Sequence, residues 1–388
     1  MNKSLYIVAF SLAFATTGIA QNNEGQDKVI DLGTQTTTEL RKTQAVSTIY
    51  SDELDKNATT SPYNAIYGLL PGLSVMQNTS WGTDKSRLNV RGRGSLNGDT
   101  PLFVVDGFAR PLEYINLSEI ESISVLKDGA ATALWGGRGA NGVVLITTKR
   151  GIYSQKDIKV DYKFGLGFPV NQPEFADAYT YAKARNEALR YDGLQPDMDE
   201  ASFLSGGNSD LYPNVDWQKE ALRNHTTSHQ LDITFRGGGK RLRYFSVLNY
   251  KNDMGLLNSK YTDYTDRYNS QMKKYFLNLR MNLDVDITDA TKLKLSMLGM
   301  LRETKRPTTS EATLFEQIFN TPSAAFPVQT LNGFWGSNNV LKTNPIANLA
   351  DVGYYKLNQR MLQADLRLVQ DLSVLTRGLS AELAIAYD

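Results

Sequence analysis

The 388-residue chain contains no cysteine and only two histidines, His225 and His229. The first absence removes disulfides, thiol nucleophiles, thiolate metal sites and a lipidated N-terminal cysteine. The second leaves little for acid–base catalysis near neutral pH, so an enzyme here would work almost wholly with carboxylates. Excess charge is missing too: 42 Lys and Arg stand against 41 Asp and Glu. They are well mixed, which excludes the electrostatic footprint of a nucleic-acid binder. No stretch is apolar for the roughly 20 residues that a spanning helix requires, so an exported product would be either soluble or a β-barrel. What is present is ordinary for a folded chain, with 41% hydrophobic and 21% charged residues. The length allows two or three domains, or one domain and part of something larger.

Local texture divides the chain. Residues 1–20 have the layout of a cleaved secretory signal: Lys3 in a positive head, an apolar stretch over 5–15, then small residues ending at Ala20. Residues 21–44 are polar, with one short apolar patch at Val29, Ile30 and Leu32, and predict a flexible arm. Residues 45–151 predict a compact α+β domain, with strands near 86–92, 101–107, 123–126 and 142–148. The second and fourth are continuous apolar runs, as for strands covered on both faces. A helix is expected over 61–72, ended by Pro71-Gly72, and another over 131–137, closed by glycines. The spacing of Ser118 and Glu121 predicts a capping box on a short helical turn.

Beyond residue 151 the pattern becomes long and alternating. Tyr275, Leu277, Leu279, Met281, Leu283, Val285 and Ile287 are apolar at period two, while Asn278, Arg280, Asn282, Asp284 and Asp286 take the other face. Seven stretches share this character: 157–168, 228–237, 241–252, 273–287, 291–302, 358–371 and 379–388. Most approach or exceed the 9–11 residues of a tilted membrane-crossing strand. The connections after the first, third and fifth are long and aromatic-rich, whereas those after the second, fourth and sixth are short. That alternation is the mark of a bacterial outer-membrane barrel rather than a soluble β-sandwich.

Residues 101–151 resemble the plug of SusC/RagA-family TonB-dependent outer-membrane transporters, through VVDG (104–107), IESISVLKD (120–128), GGRGANGV (136–143) and ITTKRG (146–151). LNVRGRGS (88–95) takes the place of the family's arginine–glycine strand, and residues 175–193 and 212–223 resemble segments after its first barrel strand. The plug-motif residues so marked are Arg91, Arg93, Asp106, Gly107, Lys127, Asp128, Arg138, Gly139, Asn141 and Gly142. Arg91, Arg93 and Arg138 could satisfy carboxylates and carbonyls in a wet lumen. Asp106 reads as a turn aspartate closing a strand. GGRGANG lacks the Gly-Lys-Ser/Thr of a phosphate loop and leads into a strand, and the two histidines are spaced too far along a strand for easy metal sharing.

The expected fold is therefore an α+β plug (45–151) followed by the first strands of an antiparallel transmembrane β-barrel (152–388). Seven strands fall well short of the family's barrel of about 22, so the expectation is the front part of a longer transporter. Residues 27–35 resemble the TonB box and the short sequence after it, with Val29, Ile30, Asp31 and Leu32 as the candidate box. Asp31 departs from the family's run of valines. The resemblance leaves only a short spacer between the signal and the box, with no added β-sandwich there. It implies import of a large glycan or oligopeptide across the cell outer membrane. The implied partners are TonB with its inner-membrane energising complex, a SusD-like surface lipoprotein and outer-membrane lipid; neither enzyme chemistry nor a cofactor or metal is called for. The alternatives are a siderophore or cobalamin receptor of the same architecture, and a secreted soluble β-rich carbohydrate-binding protein or adhesin. A carboxylate glycosidase would need an acid pair, and none stands out.

Overall fold

The computed structural model describes residues 8–11, 29–32, 36–38, 43–56, 59, 61–77, 86–95, 98–170 and 172–388. Its N-terminal strands are β1 (Val8–Ser11), β2 (Val29–Asp31), β3 (Thr36–Thr38), β4 (Val46–Tyr50), β5 (Leu73–Met76), β6 (Arg87–Val90), β7 (Leu102–Val105), β8 (Phe108–Ala109), β9 (Ile120–Leu126) and β10 (Val143–Thr148). Five of them form one sheet in the order β4-β9-β10-β7-β8, in which β10 runs parallel to β7 and antiparallel to β9. The continuous apolar runs of β10 and its parallel neighbour β7 fit their inner places in the sheet, since a strand covered on both faces favours apolar residues at successive positions. Alternation along β10 sends Val144 and Ile146 into one core, with Ile49, Ile66, Leu112 and Ile123, and Val143 and Leu145 into another, with Val46, Val104 and Leu126.

Local expectations failed where long-range partners or glycine intervened. The helix expected over 61–72 covers only Pro62–Ala65. Gly68 and Gly72 follow at positive φ, 74° and 85°, a conformation a right-handed helix cannot hold. No capping box forms at Ser118: a 3-10 turn, Leu117–Glu119, starts from Asn116 without a side-chain cap. Glu121 lies inside β9. The helix expected over 131–137 begins earlier, at Gly129–Thr132, and gives way to a 3-10 stretch that Gly136 breaks at φ 54°.

The seven alternating stretches are strands: β11 (Lys156–Gly167), β12 (Thr226–Gly238), β13 (Leu242–Met254), β14 (Lys273–Asp286), β15 (Thr291–Pro307), β16 (Tyr354–Asp371) and β17 (Ser380–Tyr387). They pair antiparallel in chain order. β1, from within the expected signal, pairs with the other edge of β11, Val8 opposite Leu166. Turns at one end are short (239–241, 287–290 and 372–379). The long connections at the other end contain helices that pack on one another around Trp217, Leu257, Tyr261, Ile318, Phe326 and Leu349. Side chains of the wall are inverted relative to a soluble sheet. Leu277, Leu279 and Met281 are 39%, 46% and 42% exposed, whereas Asn278, Arg280 and Asn282 between them are 0%, 2% and 0% exposed. An apolar exterior and a polar interior suit lipid outside and a wet or plugged lumen inside.

Where the two units join, a Cβ on Gly151 would lie 2.2 Å from the Tyr244 backbone nitrogen. Only glycine lets the linker pass that close to β13. Asp128 holds the far end of the α+β unit: its carboxylate accepts from Ala131 N at 2.8 Å as a helix N-cap and from Ala45 N at 2.6 Å. These donors, Ala45 first, hold the Asp128 carboxyl below the ordinary aspartate value of 3.8. Its stabilisation is therefore complete above that value and is lost as pH falls through the depressed one. Asp128→Ala is expected to destabilise the α+β unit by about 1–2 kcal/mol at neutral pH. Hydrogen exchange of its amides should show this, with the difference between parent and variant closing below pH 3.8.

Candidate functional site: the interface between plug and wall

The polar face of the wall is buried because the α+β unit covers it. At the centre lies Glu119, fully buried, whose carboxylate accepts from Arg280 Nε at 2.5 Å and from Asn278 Nδ2. Burial pushes the Glu119 carboxyl up, against the pull of Arg280 and Asn278. To one side, Asp232 of β12 accepts from Asn116 Nδ2 at 2.8 Å and Ser118 Oγ at 3.2 Å across the interface, and from Gln230 and Asn249 within the wall. To the other, Asn282 Nδ2 donates to Thr148 Oγ1 at 2.9 Å and to the Lys149 carbonyl at 2.7 Å. Arg150 reaches Asp284 at 3.1 Å and Ser296 at 2.8 Å, and its carbonyl accepts from Arg236 Nε at 2.7 Å. Arg110 grips Asp365 of β16 with two parallel bonds of 2.6 and 2.5 Å, and Asp388 at 2.8 Å. Such paired charge-assisted bonds fix geometry as well as energy.

The sequence-marked residues fall into three groups. Asp106 and Gly107 are the two central residues of the turn between β7 and β8, with φ 46° and 87°, as a two-residue hairpin of Asp-Gly type requires. The Asp106 carboxylate accepts from Thr148 N and Oγ1 at 3.0 and 2.6 Å, and its carbonyl accepts from Arg367 of the wall. Lys127, Asp128, Gly139, Asn141 and Gly142 act within the α+β unit. Lys127 Nζ donates to Ser47 Oγ and the Pro71 carbonyl, Asn141 Nδ2 donates to the Gly98 carbonyl, and Gly142 sits at φ 89° against Val90. Arg93 joins Arg87 on Asp99, at 3.1 and 2.8 Å, and together they hold that carboxyl below its usual value, Arg87 most strongly. Arg91 and Arg138 are exposed. Among the described residues no hydrogen bond or ion pair joins Arg91, Arg93 or Arg138 to the wall. Contacts with the described strands of the wall are made by Arg110, Glu119 and Arg150, and by wall arginines.

The candidate TonB box is docked. β2 pairs with β3, and Ile30 and Leu32, 1% and 4% exposed, pack into the core of Val46, Val104, Leu126, Val143 and Leu145. The described part of the expected arm is therefore held on the plug. His229 Nδ1 shares a hydrogen bond with Tyr162 Oη, and the His225 ring lies 6.3 Å from Phe168. Among the described residues, no group of three or more potential ligands could hold a metal.

Arg280→Met would leave Glu119 buried without its cation, at a cost of about 3–5 kcal/mol. The double change with Glu119→Leu should recover most of that, because a paired buried charge is replaced whole. Denaturation of the detergent-solubilised protein, followed by protease sensitivity of the α+β unit, measures both.

Comparison with known proteins agrees with this architecture. Residues 38–143 match the family model described as TonB-dependent Receptor Plug Domain. The chain is 30% identical over 283 residues to the TonB-dependent receptor SusC of Bacteroides thetaiotaomicron, a match covering 69% of this chain and 26% of that protein. It is 28% identical over 281 residues to TonB-dependent receptor P26 of Formosa agariphila, covering 70% and 26%. The chain thus spans about a quarter of these relatives. A structure of the RagAB peptide transporter superposes with TM-score 0.69 at 19% identity, over 88% of this chain and 40% of that one, a likeness of fold. With the motifs, the inverted wall and the plug seated on it, these matches place the chain among the TonB-dependent receptors similar to SusC, as a plug domain followed by the first strands of the barrel.

Proposed function

We propose that this protein serves TonB-dependent import of a large nutrient, a glycan or an oligopeptide, across the cell outer membrane, with the plug as gate. The observation that carries this reading is the buried polar seam between plug and wall. Hydrogen bonds and ion pairs of that kind can be exchanged for water one at a time, whereas a dry apolar seam could not open without a large loss. Residues 1–20 direct export and are removed, which leaves free the edge of β11 that β1 occupies in the uncleaved chain. No bond of the cargo is made or broken.

Force enters at Val29, Ile30, Asp31 and Leu32. An extended segment there can add as a strand to an edge of TonB, which the inner-membrane complex energises. Taking Ile30 and Leu32 out of their core costs about 3–6 kcal/mol, a threshold that resists spontaneous release. That core includes Leu126 at the end of β9 and Val143 at the start of β10. The opposite ends of the same strands carry Glu119 and Thr148, which hold the wall. A pull on the box is thus delivered along two strands to the seam.

At the outer end the packed connections offer a platform for a SusD-like lipoprotein lid. A cleft of about 730 Å³ there is lined by Phe175, Trp217, Asp177, Asp216 and Lys219 among others. The exposed Phe175 ring beside the Asp177 and Asp216 carboxylates suits a sugar ring or a peptide group.

Ile30→Pro removes a strand N–H and the docked side chain together. In the producing bacterium it is expected to lower uptake of labelled glycan or oligopeptide at least about tenfold, while leaving the amount in the outer membrane unchanged; a 1.4 kcal/mol change already gives that factor. Undiminished uptake would rule out the assigned box.

A further inference from the structure

The outward face of the wall carries a row of like charges. The register of β14 on β15 sets Lys273 opposite Lys305, and that of β15 on β16 sets Lys305 opposite Lys356. Directly opposed residues stand about 4.5–5.5 Å apart at Cβ, a spacing at which like charges repel. Lys305 feels the charge of both neighbours. Two carboxylates offset the row in part: Glu303, 2.9 Å from Lys356, and Asp263, which acts on Lys305 from the connection between β13 and β14. Lys305 Nζ also lies 5.0 Å from the centre of the exposed Tyr354 ring.

The row's level on the strand shows what it meets. Toward the short turns, the next outward rows are Tyr275–Glu303–Asn358 and Leu277–Leu301–Arg360, and then Leu279–Gly299–Leu362, Met281–Met297–Ala364 and Leu283–Leu295–Leu366. The apolar band begins at Leu277 and Leu301, both exposed. The lysines stand four residues above it, roughly 13 Å along the strand, at the end bearing the long connections. In a bacterial barrel that end is extracellular. Lysine stems there run beside lipid while the ammonium groups reach headgroup level.

We propose that Lys273, Lys305 and Lys356 form a binding site for the phosphate groups of a phosphorylated lipid headgroup in the outer leaflet. A phosphate shared among the three ammonium groups turns mutual repulsion into common attraction, and acyl chains of the same lipid lie on Leu277, Leu301 and Leu362. A free phosphate would satisfy the charges but leave that apolar face uncovered, so the lipid is the occupant.

The site rests on the outer-membrane barrel reading, and the test separates the two. The full-length protein in detergent is offered bisphosphorylated lipid A, the same lipid with its phosphates removed, and inorganic phosphate, and retained lipid is measured by native mass spectrometry. Retention of the phosphorylated lipid should exceed that of the dephosphorylated one at least about tenfold, at roughly fivefold per lysine contact. Lys305→Glu should abolish the difference, and the triple Lys→Arg exchange should keep it. Equal retention of both lipids, or an unaltered difference in Lys305→Glu, would overturn the site; displacement by equimolar inorganic phosphate would overturn its assignment to lipid. Heat-modifiable migration of parent and variants reports the barrel itself, so its loss in the parent strikes the barrel reading, whereas its persistence without lipid discrimination strikes the site alone.

Discussion

A buried carboxylate and a buried guanidinium, Glu119 and Arg280, hold the two halves of this chain in one arrangement. Neither could be taken from water alone. Glu119 sits at the end of a 3-10 turn at the entrance to β9, an inner strand of the plug sheet, and Arg280 sits midway along β14. The pair therefore sets the height and the azimuth of the plug against the wall. The neighbouring contacts, Asp232 with Asn116 and Ser118, Asn282 with Thr148, and Arg110 with Asp365, extend the same polar seam across five strands.

The seam also explains the composition. A chain with 21% charged residues and nearly equal numbers of each sign has ample material for paired burial. It uses that material on the inside, while Leu, Met and Ile face outward in regular rows. In a soluble protein that distribution would expose a wide apolar surface and invite aggregation. In a bilayer it is the stable one, because the wall's backbone groups pair strand to strand and the outer side chains meet lipid. Long connections packed around Trp217 and Phe326 at one end, against tight turns at the other, give the wall a direction.

Much of this was legible in the sequence. The wall is written at period two, and the register of each pair follows from which residues must face lipid, so stretches such as 273–287 could be read locally. The plug strands were legible as apolar runs, and the motifs carried the family. The partners across the seam were not. Glu119 stands in a segment with the spacing of a capping box, and only the presence of Arg280 and Asn278, some 160 positions away, decides that it serves the wall instead. Ile30 and Leu32 showed as an apolar patch in a polar arm, which gives no sign of the core they enter. Arg91, Arg93 and Arg138 drew attention through their glycines, whereas which plug residues meet the described strands depends on position in three dimensions, and there they are Arg110 and Arg150.

The inversion of the wall is the claim on which the rest stands, and it can be probed one position at a time. Spin labels placed by Leu279→Cys, Met281→Cys, Asn282→Cys and Met297→Cys in the full-length protein, reconstituted in a bilayer, can be tested for collision with dissolved oxygen and with a water-soluble nickel chelate. Labels at 279, 281 and 297 should collide with oxygen and be shielded from nickel, and the label at 282 should be shielded from both. Nickel access at 279, 281 and 297 would place that face in water and contradict the account.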